Sequence, residues 1–288
     1  MKIAVASGKG GTGKTFISTN LFHAVQGEHE SICLLDCDSE EPNVLQFFKT
    51  ETIDEQHVYQ KVPVIDENKC TFCGKCREAC VYNAIFIIPP SKIIKVLENL
   101  CHGCGACTVA CKYDAITEKD DSLGIISKNI TKDNANIIET RVHIGVYSSV
   151  RVIKESVKYV KDYETVIIDA PPGTSCPFIQ SASASDYIIL VTEPTPFGLS
   201  DLKQSIDTLK TMNKKYGVII NRIGLGNDDV YKYLEEENIP ILMEIPYSKE
   251  IAEAYSNGKL YVEQDKEFED NLKQMFNKIL EDNGNSSN

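Results

Sequence analysis

The sequence predicts an α/β chain built on a mostly parallel, doubly wound sheet, with a smaller α+β segment inserted into it. Three observations lead there. An apolar strand at residues 2–6 runs into a glycine-rich loop and then into a helical pattern. From about residue 166 onward, short apolar strands alternate with amphipathic helical stretches, the pattern of a parallel sheet covered on both faces. Between these blocks, eight of the eleven cysteines fall within residues 70–111, as two copies of one spacing.

The bulk composition bounds the function classes. The chain has 288 residues, 42% hydrophobic and 25% charged, which suits a globular protein with a sizeable core. Its net charge of −12 argues against a nonspecific nucleic-acid surface, which needs clustered Lys and Arg. No run approaches 18 consecutive apolar residues, so no transmembrane segment is expected. The apolar stretch before the first glycine loop is too short for a signal peptide, and a cytoplasmic location is expected. Over residues 265–282 three lysines stand against six acids, a net of −3 that anionic lipid would repel. Residues 267–281 are therefore read as a packing helix rather than a membrane anchor, with a polar tail at 283–288 expected to fray.

Residues 7–15 read Ser-Gly-Lys-Gly-Gly-Thr-Gly-Lys-Thr, and Gly8 to Thr15 satisfies G-x-x-x-x-G-K-[ST] in full. Strand before and helix after are the context this P-loop requires. Gly8, Lys9, Gly10, Gly11, Thr12, Gly13, Lys14 and Thr15 form the candidate nucleotide cradle, whose backbone N–H groups point at phosphate oxygens. Lys14 is expected to reach the β/γ-phosphates and the Thr15 hydroxyl to ligate Mg²⁺. The strand at 31–35 ends in Asp36-Cys37-Asp38, which resembles the first switch of a class of P-loop ATPases, and that resemblance makes Asp38 the candidate for orienting the attacking water. The buried-looking strand at 166–169 ends in Asp169, a Walker-B-type position that would hold the Mg²⁺ shell, and Ala170-Pro171-Pro172-Gly173 follows as a second switch. Further strands are expected at 186–192, 217–220 and 241–245, with helices over 199–215 and from Lys249 toward Gly258.

Residues 70–85 and 101–116 are identical at nine of sixteen positions, at an offset of 31. Each copy has C-x2-C-x2-C-x3-C, the spacing of bacterial two-cluster ferredoxins. Three cysteines on a tight loop can wrap one face of an iron–sulfur cube while the fourth points away and completes the other. The expected ligand sets are Cys70, Cys73, Cys76 and Cys111 for one [4Fe–4S] cluster, and Cys101, Cys104, Cys107 and Cys80 for the second. Zinc sites also use C-x2-C, but build a quartet from two such pairs, which explains two tandem quartets at this spacing poorly. Val81 and Lys112 stand where the ferredoxin pattern usually has proline.

The loop K-G-G-T-G-K-T carries a second lysine, Lys9, and resembles the deviant phosphate loop of the MinD/Mrp/nitrogenase-iron-protein class of P-loop NTPases. The resemblance implies that Lys9 crosses a nucleotide-sandwich homodimer to the partner's phosphates; read by itself, Lys9 is a solvated lysine. It also implies that Asn221 reads the adenine edge. The pattern covers residues 1–58 and 120–288, with 59–119 as an inserted two-cluster ferredoxin-like domain, a combination similar to MinD-superfamily ATPases with such an insert. An ATP-dependent dimer coupling Mg²⁺-dependent ATP hydrolysis to electron transfer or to iron–sulfur or metallocluster assembly is therefore expected, with an unidentified redox or assembly partner. A MinD-like positioning ATPase with structural clusters, and a ferredoxin with a regulatory nucleotide site, are the alternatives. Cys33 and Cys37 read as core filling. Cys176 stands beside the second switch, a place where the nitrogenase iron protein has a cluster cysteine. The five histidines form no evident constellation.

Overall fold

The computed structural model describes residues 1–284. In chain order the strands are β1 (Lys2–Ala6), β2 (Ile32–Asp36), β3 (Thr50–Ile65), β4 (Ile85–Ile88), β5 (Ile93–Val96), β6 (Ile116–Thr131), β7 (Asn136–Val142), β8 (Thr165–Asp169), β9 (Tyr187–Thr192), β10 (Lys215–Ile223) and β11 (Ile241–Pro246). The helices are α1 (Lys14–Val25), α2 (Lys75–Glu78), α3 (Ala106–Ala110), α4 (Val150–Tyr159), α5 (Cys176–Ser183), α6 (Pro196–Thr211), α7 (Asp229–Glu236), α8 (Lys249–Ser256) and α9 (Lys266–Gly284). The chain divides into two compact units. The first holds Met1–Glu55, Ile126–Arg141 and everything described from Val150 on; the second holds Gln56–Ile125 and Val142–Ser149.

Nine strands form one sheet in the order β11-β10-β9-β1-β8-β2-β7-β6-β3. From β11 to β7 every pairing is parallel. Strands β1, β2, β8 and β9 are apolar and buried almost throughout, as strands covered on both faces must be. Parallel pairing aligns the carboxyl ends of β1, β2 and β8, so that Asp36 and Asp169 are register partners. Ligands of open α/β sheets bind at such carboxyl ends.

Helix α1 packs one side of this sheet and meets α9. Phe16 stacks on Phe268 with ring centroids 5.6 Å apart. Leu272, Phe276 and Ile279 of α9 are buried in the same cluster as Leu21 and Phe22. The last helix is thus a packing element, as its acidic composition implies, and it continues to Gly284; the remaining tail residues, 285–288, lie outside the described residues. Among the described residues no helix is long and apolar enough to cross a membrane.

The second unit has a small core of its own, formed by Cys76, Ile85, Ile94, Cys107 and Ile116. Here β4 and β5 make an antiparallel pair from Ile85↔Val96 to Ile88↔Ile93. The sequence repeat is also a backbone repeat. Phe72 and Gly103, Gly74 and Gly105, and Asn83 and Asp114 each sit 31 positions apart, and all six have positive φ. A side chain at Gly103 would be strained twice over, since a Cβ would also lie 2.9 Å from the Lys61 carbonyl oxygen.

Candidate nucleotide and cysteine sites

The loop between β1 and α1 turns on Gly11 and Gly13, both with positive φ. Gly13 forms the N-cap of α1, and a Cβ there would lie 2.4 Å from Asn221 Nδ2. Asn221, at the carboxyl end of β10, is buried and donates through Nδ2 to the Thr12 carbonyl at 2.8 Å. Its Oδ1 accepts from the Arg222 backbone N–H at 2.9 Å. In this conformation the amide braces the loop and both of its ends are engaged.

Lys14 is only 6% exposed although it opens a helix. The Thr15 hydroxyl donates to Asp169 Oδ2 at 2.7 Å. Asp169 itself is 1% exposed, and its Oδ1 is buried without a hydrogen-bond partner. Burial pushes the Asp169 carboxyl up to about 6, against the nearby Lys14 charge and the Thr15 bond, which both pull it down. Asp36 is pushed up as well, by burial and then by Asp169, while N–H groups of Val44 and Asp38 pull it down. Its Oδ2 accepts from Asn43 N and Val44 N, and its Oδ1 from Asp38 N. Asp38 is raised by burial first, with Lys14 opposing. The Oγ of Ser39 beside it is another buried atom without a partner. The unpartnered Asp169 Oδ1 and the Thr15 hydroxyl beside that carboxylate are hard oxygen donors of the kind that Mg²⁺ takes.

From this point a cleft of about 540 Å³ opens along Gly11, Gly13, Lys14, Thr15 and Phe16 to Asn221, Tyr247 and Tyr255. Tyr255, on α8, has its ring 5.1 Å from that of Phe47 and 6.4 Å from that of Phe16. Nothing local in the sequence marks this tyrosine; only the approach of α8 to the loop does. Lys9 does not project free: its ammonium lies 3.5 Å from Glu193 Oε2.

In the second unit, Cys70, Cys73, Cys76 and Cys111 line one small hollow of about 20 Å³, open in part to solvent. Cys80, Cys101, Cys104 and Cys107 line another of about 20 Å³. Each hollow takes three sulfurs from one repeat and the fourth from the other. Backbone N–H groups already point at sulfur: Phe72 N to Cys70 and Gly103 N to Cys101, both at 3.4 Å, and Ala84 N to Cys80 at 3.3 Å. The exposed Cys73 thiol is lowered, chiefly by the Lys75 N–H, whereas burial raises Cys76, Cys101 and Cys107. Tyr82 and His102 stack at 3.8 Å on the edge of the second hollow. Among the described residues no group of three or more His, Cys, Asp or Glu side chains gathers as a site for one metal ion.

The remaining candidates separate. Cys33 and Cys37 are fully buried, and burial drives both thiols far up, which suits core filling. Cys176 is exposed at the start of α5. Sequence inspection missed one grouping among the histidines: the Ser122 hydroxyl lies 3.3 Å from His57 Nδ1 and 2.9 Å from His143 Nε2.

A parallel sheet whose first strand feeds a glycine-rich loop and a buried lysine, with carboxylates at two neighbouring strand ends, defines a P-loop nucleotide-binding protein. Residues 3–261 match the CobQ/CobB/MinD/ParA nucleotide binding domain, and the chain belongs to that family. Two uncharacterized proteins of Methanocaldococcus jannaschii are 31% and 32% identical, one over 268 residues (91% of each chain) and the other over 284 (98% of this chain, 97% of that one). The iron-sulfur cluster carrier protein of Pyrococcus furiosus is 24% identical over 280 residues, 89% of this chain and 77% of its own. The fold matches the Mg-ADP complex of the septum site-determining protein MinD from Pyrococcus horikoshii with a TM-score of 0.59 at 19% identity, covering 96% and 95% of the two chains.

Proposed function

We propose that this protein is an ATP-hydrolysing, ATP-dependent homodimer that carries two [4Fe–4S] clusters and couples nucleotide state to electron transfer or to cluster assembly. The observation that carries the reading is the lining of the two hollows. Four cysteines surround each, with the fourth exchanged between repeats, on a chain that also bears a complete phosphate loop. Sulfurs set around a hollow suit a multi-iron cube, whose ligands sit at its corners. A single zinc ion requires its donors about 2.3 Å from one point. Residues 59–119 are then the inserted ferredoxin-like domain and residues 1–58 and 120–288 the ATPase. When bound, such clusters supply one-electron transfer at potentials tuned by hydrogen bonds to sulfur and by exposure.

The chain's own groups have distinct parts in this reading. Lys14 neutralises the β/γ-phosphates, Thr15 and Asp169 hold Mg²⁺, Asp38 orients water, and Lys9 reaches the partner's nucleotide. Asn221 contacts the base once its bond to Thr12 is exchanged. The similarity to an iron-sulfur cluster carrier supports an assembly role, with a redox or metallocluster protein as partner.

Mg²⁺ binding needs the Asp169 carboxylate ionised. With that carboxyl pushed up to about 6 from an ordinary 3.8, Mg²⁺-dependent nucleotide affinity should fall about tenfold per pH unit below 6 and level off above it. The nucleotide-free protein shows the opposite sign. The folded state keeps a proton that the unfolded chain has lost, so this group's contribution to stability declines as pH rises from about 4 to about 6. Nucleotide titrations with and without Mg²⁺ between pH 5 and 8 check the slope, which Asp169→Asn should abolish.

The test of the whole reading is linkage. If ATP alters the cluster potentials, cluster oxidation state must alter ATP affinity by the same factor. A shift of about 60 mV for one electron corresponds to about tenfold in affinity. Potentials measured without nucleotide, with ADP and with a nonhydrolysable ATP analogue are expected to differ. Equal potentials in all three states, with ATP affinity unchanged on reduction, would leave the clusters purely structural.

A further inference from the structure

We infer that Glu193 is a positioning residue that holds Lys9 within its own chain, and that ATP-dependent pairing of two copies has to break this contact. The inference rests on the reading of Lys9 as a residue that acts across a dimer.

Glu193 follows β9 and is 12% exposed, against 33% for Lys9. Its two carboxylate oxygens serve two cations. Oε2 faces Lys9 at 3.5 Å, and Oε1 accepts from Arg222 Nη1 at the end of β10. Arg222 also lines the nucleotide cleft, and its backbone has positive φ, held by the N–H bond to Asn221 Oδ1. One carboxylate thus ties the phosphate loop to the cleft wall.

The carboxylate is presented from a stiff turn. The Glu193 carbonyl accepts from Thr195 N at 2.8 Å, and the Thr195 hydroxyl accepts from Gly198 N at 3.0 Å as the cap of α6. A Cβ at Gly198 would meet the Glu193 carbonyl oxygen at 2.2 Å, so the turn closes only around glycine. A flexible glutamate would lose side-chain entropy on pairing with lysine; this one is already ordered by its bond to Arg222.

An ammonium on Glu193 cannot at the same time reach a phosphate on another chain. The in-chain contact therefore lowers the fraction of protein competent to pair, and the apparent dimer affinity falls by that fraction. Removing the charge at Glu193 while keeping its shape releases Lys9, and releases Arg222 with it.

The experiment compares dimer dissociation constants, by sedimentation equilibrium with a nonhydrolysable ATP analogue, for wild type, Glu193→Gln, Lys9→Ala and the double variant. Glu193→Gln is expected to tighten the dimer tenfold or more, and to do nothing in the Lys9→Ala background. Glu193→Asp keeps the charge but shortens the arm, and should fall between. A circular-dichroism spectrum and a thermal midpoint that match wild type certify that each variant is folded. A dimer unchanged or weakened by Glu193→Gln, where wild type pairs and Lys9→Ala does not, overturns the inference and leaves the dimer reading intact. A gain that persists without Lys9 overturns it too. A wild type that stays monomeric with the analogue overturns both.

Discussion

Lys14→Ala is expected to lower ATP affinity by at least two orders of magnitude. The side chain is buried at the start of α1, beside Asp169 and Asp38. Truncating it leaves phosphate charge facing buried carboxylates, a loss of about 3–5 kcal/mol by the usual cost of breaking a buried charge pair. Lys9→Ala should behave differently. Lys9 is at the rim, paired with Glu193, so nucleotide binding should change little while ATP-dependent dimerisation and hydrolysis collapse. Cross-chain cations of this kind are worth about 10³–10⁵ in rate in other NTPases. Isothermal titration for binding, sedimentation for assembly and phosphate release for turnover separate the two. Equal loss of binding in both variants would assign Lys9 to its own chain's nucleotide and sink the sandwich dimer.

The second large effect is on metal content. Anaerobically purified protein should carry about eight iron per chain, from two four-iron cubes. Cys80→Ala should remove about four, because the hollow it opens is otherwise lined by Cys101, Cys104 and Cys107. Combining it with Cys104→Ala should cost no further iron; combining it with Cys73→Ala should remove nearly all. Iron assay with electron paramagnetic resonance of the reduced protein reads each case. Zinc in place of iron, or a Cys80→Ala loss that instead adds to Cys104→Ala, would refute the exchanged ligand sets.

What was legible in the sequence was what depends on local spacing. The loop from Gly8 to Thr15 needs strand, glycines and helix in immediate succession, and β1, the loop and α1 follow in that order. The carboxylates at the ends of β2 and β8 were legible because buried strands read as apolar runs that stop at an acid. Strand β3 was not, since residues 51–57 are exposed and mostly polar and carry no alternation. Strands β6 and β7 escaped as well, although they are sheet neighbours joined by the short turn at residues 132–135. Tyr255 and Glu193 lie beside residues more than a hundred positions away in sequence, Thr15 and Lys9. Asn221, read from the sequence as an adenine contact, lines the cleft with its amide engaged with Thr12, a contact that no strand-end pattern reveals.

The segment from Asp36 to β3 is bound along its length. Asp36 Oδ2 accepts from Asn43 N and Val44 N; the Asn43 amide joins the Glu41 carbonyl and the Gln46 side chain. At its far end Phe47 rests on Tyr255, and Gly258, just past α8, abuts the Gln46 carbonyl so closely that a Cβ would sit 2.8 Å from it. Such a segment is a strut rather than a tether. A tether lets one end move while the other stays, its slack absorbing the displacement as entropy. A strut has little slack, so a displacement of Asp36 or of α8 is expected to carry along the segment toward Thr50, where β3 begins.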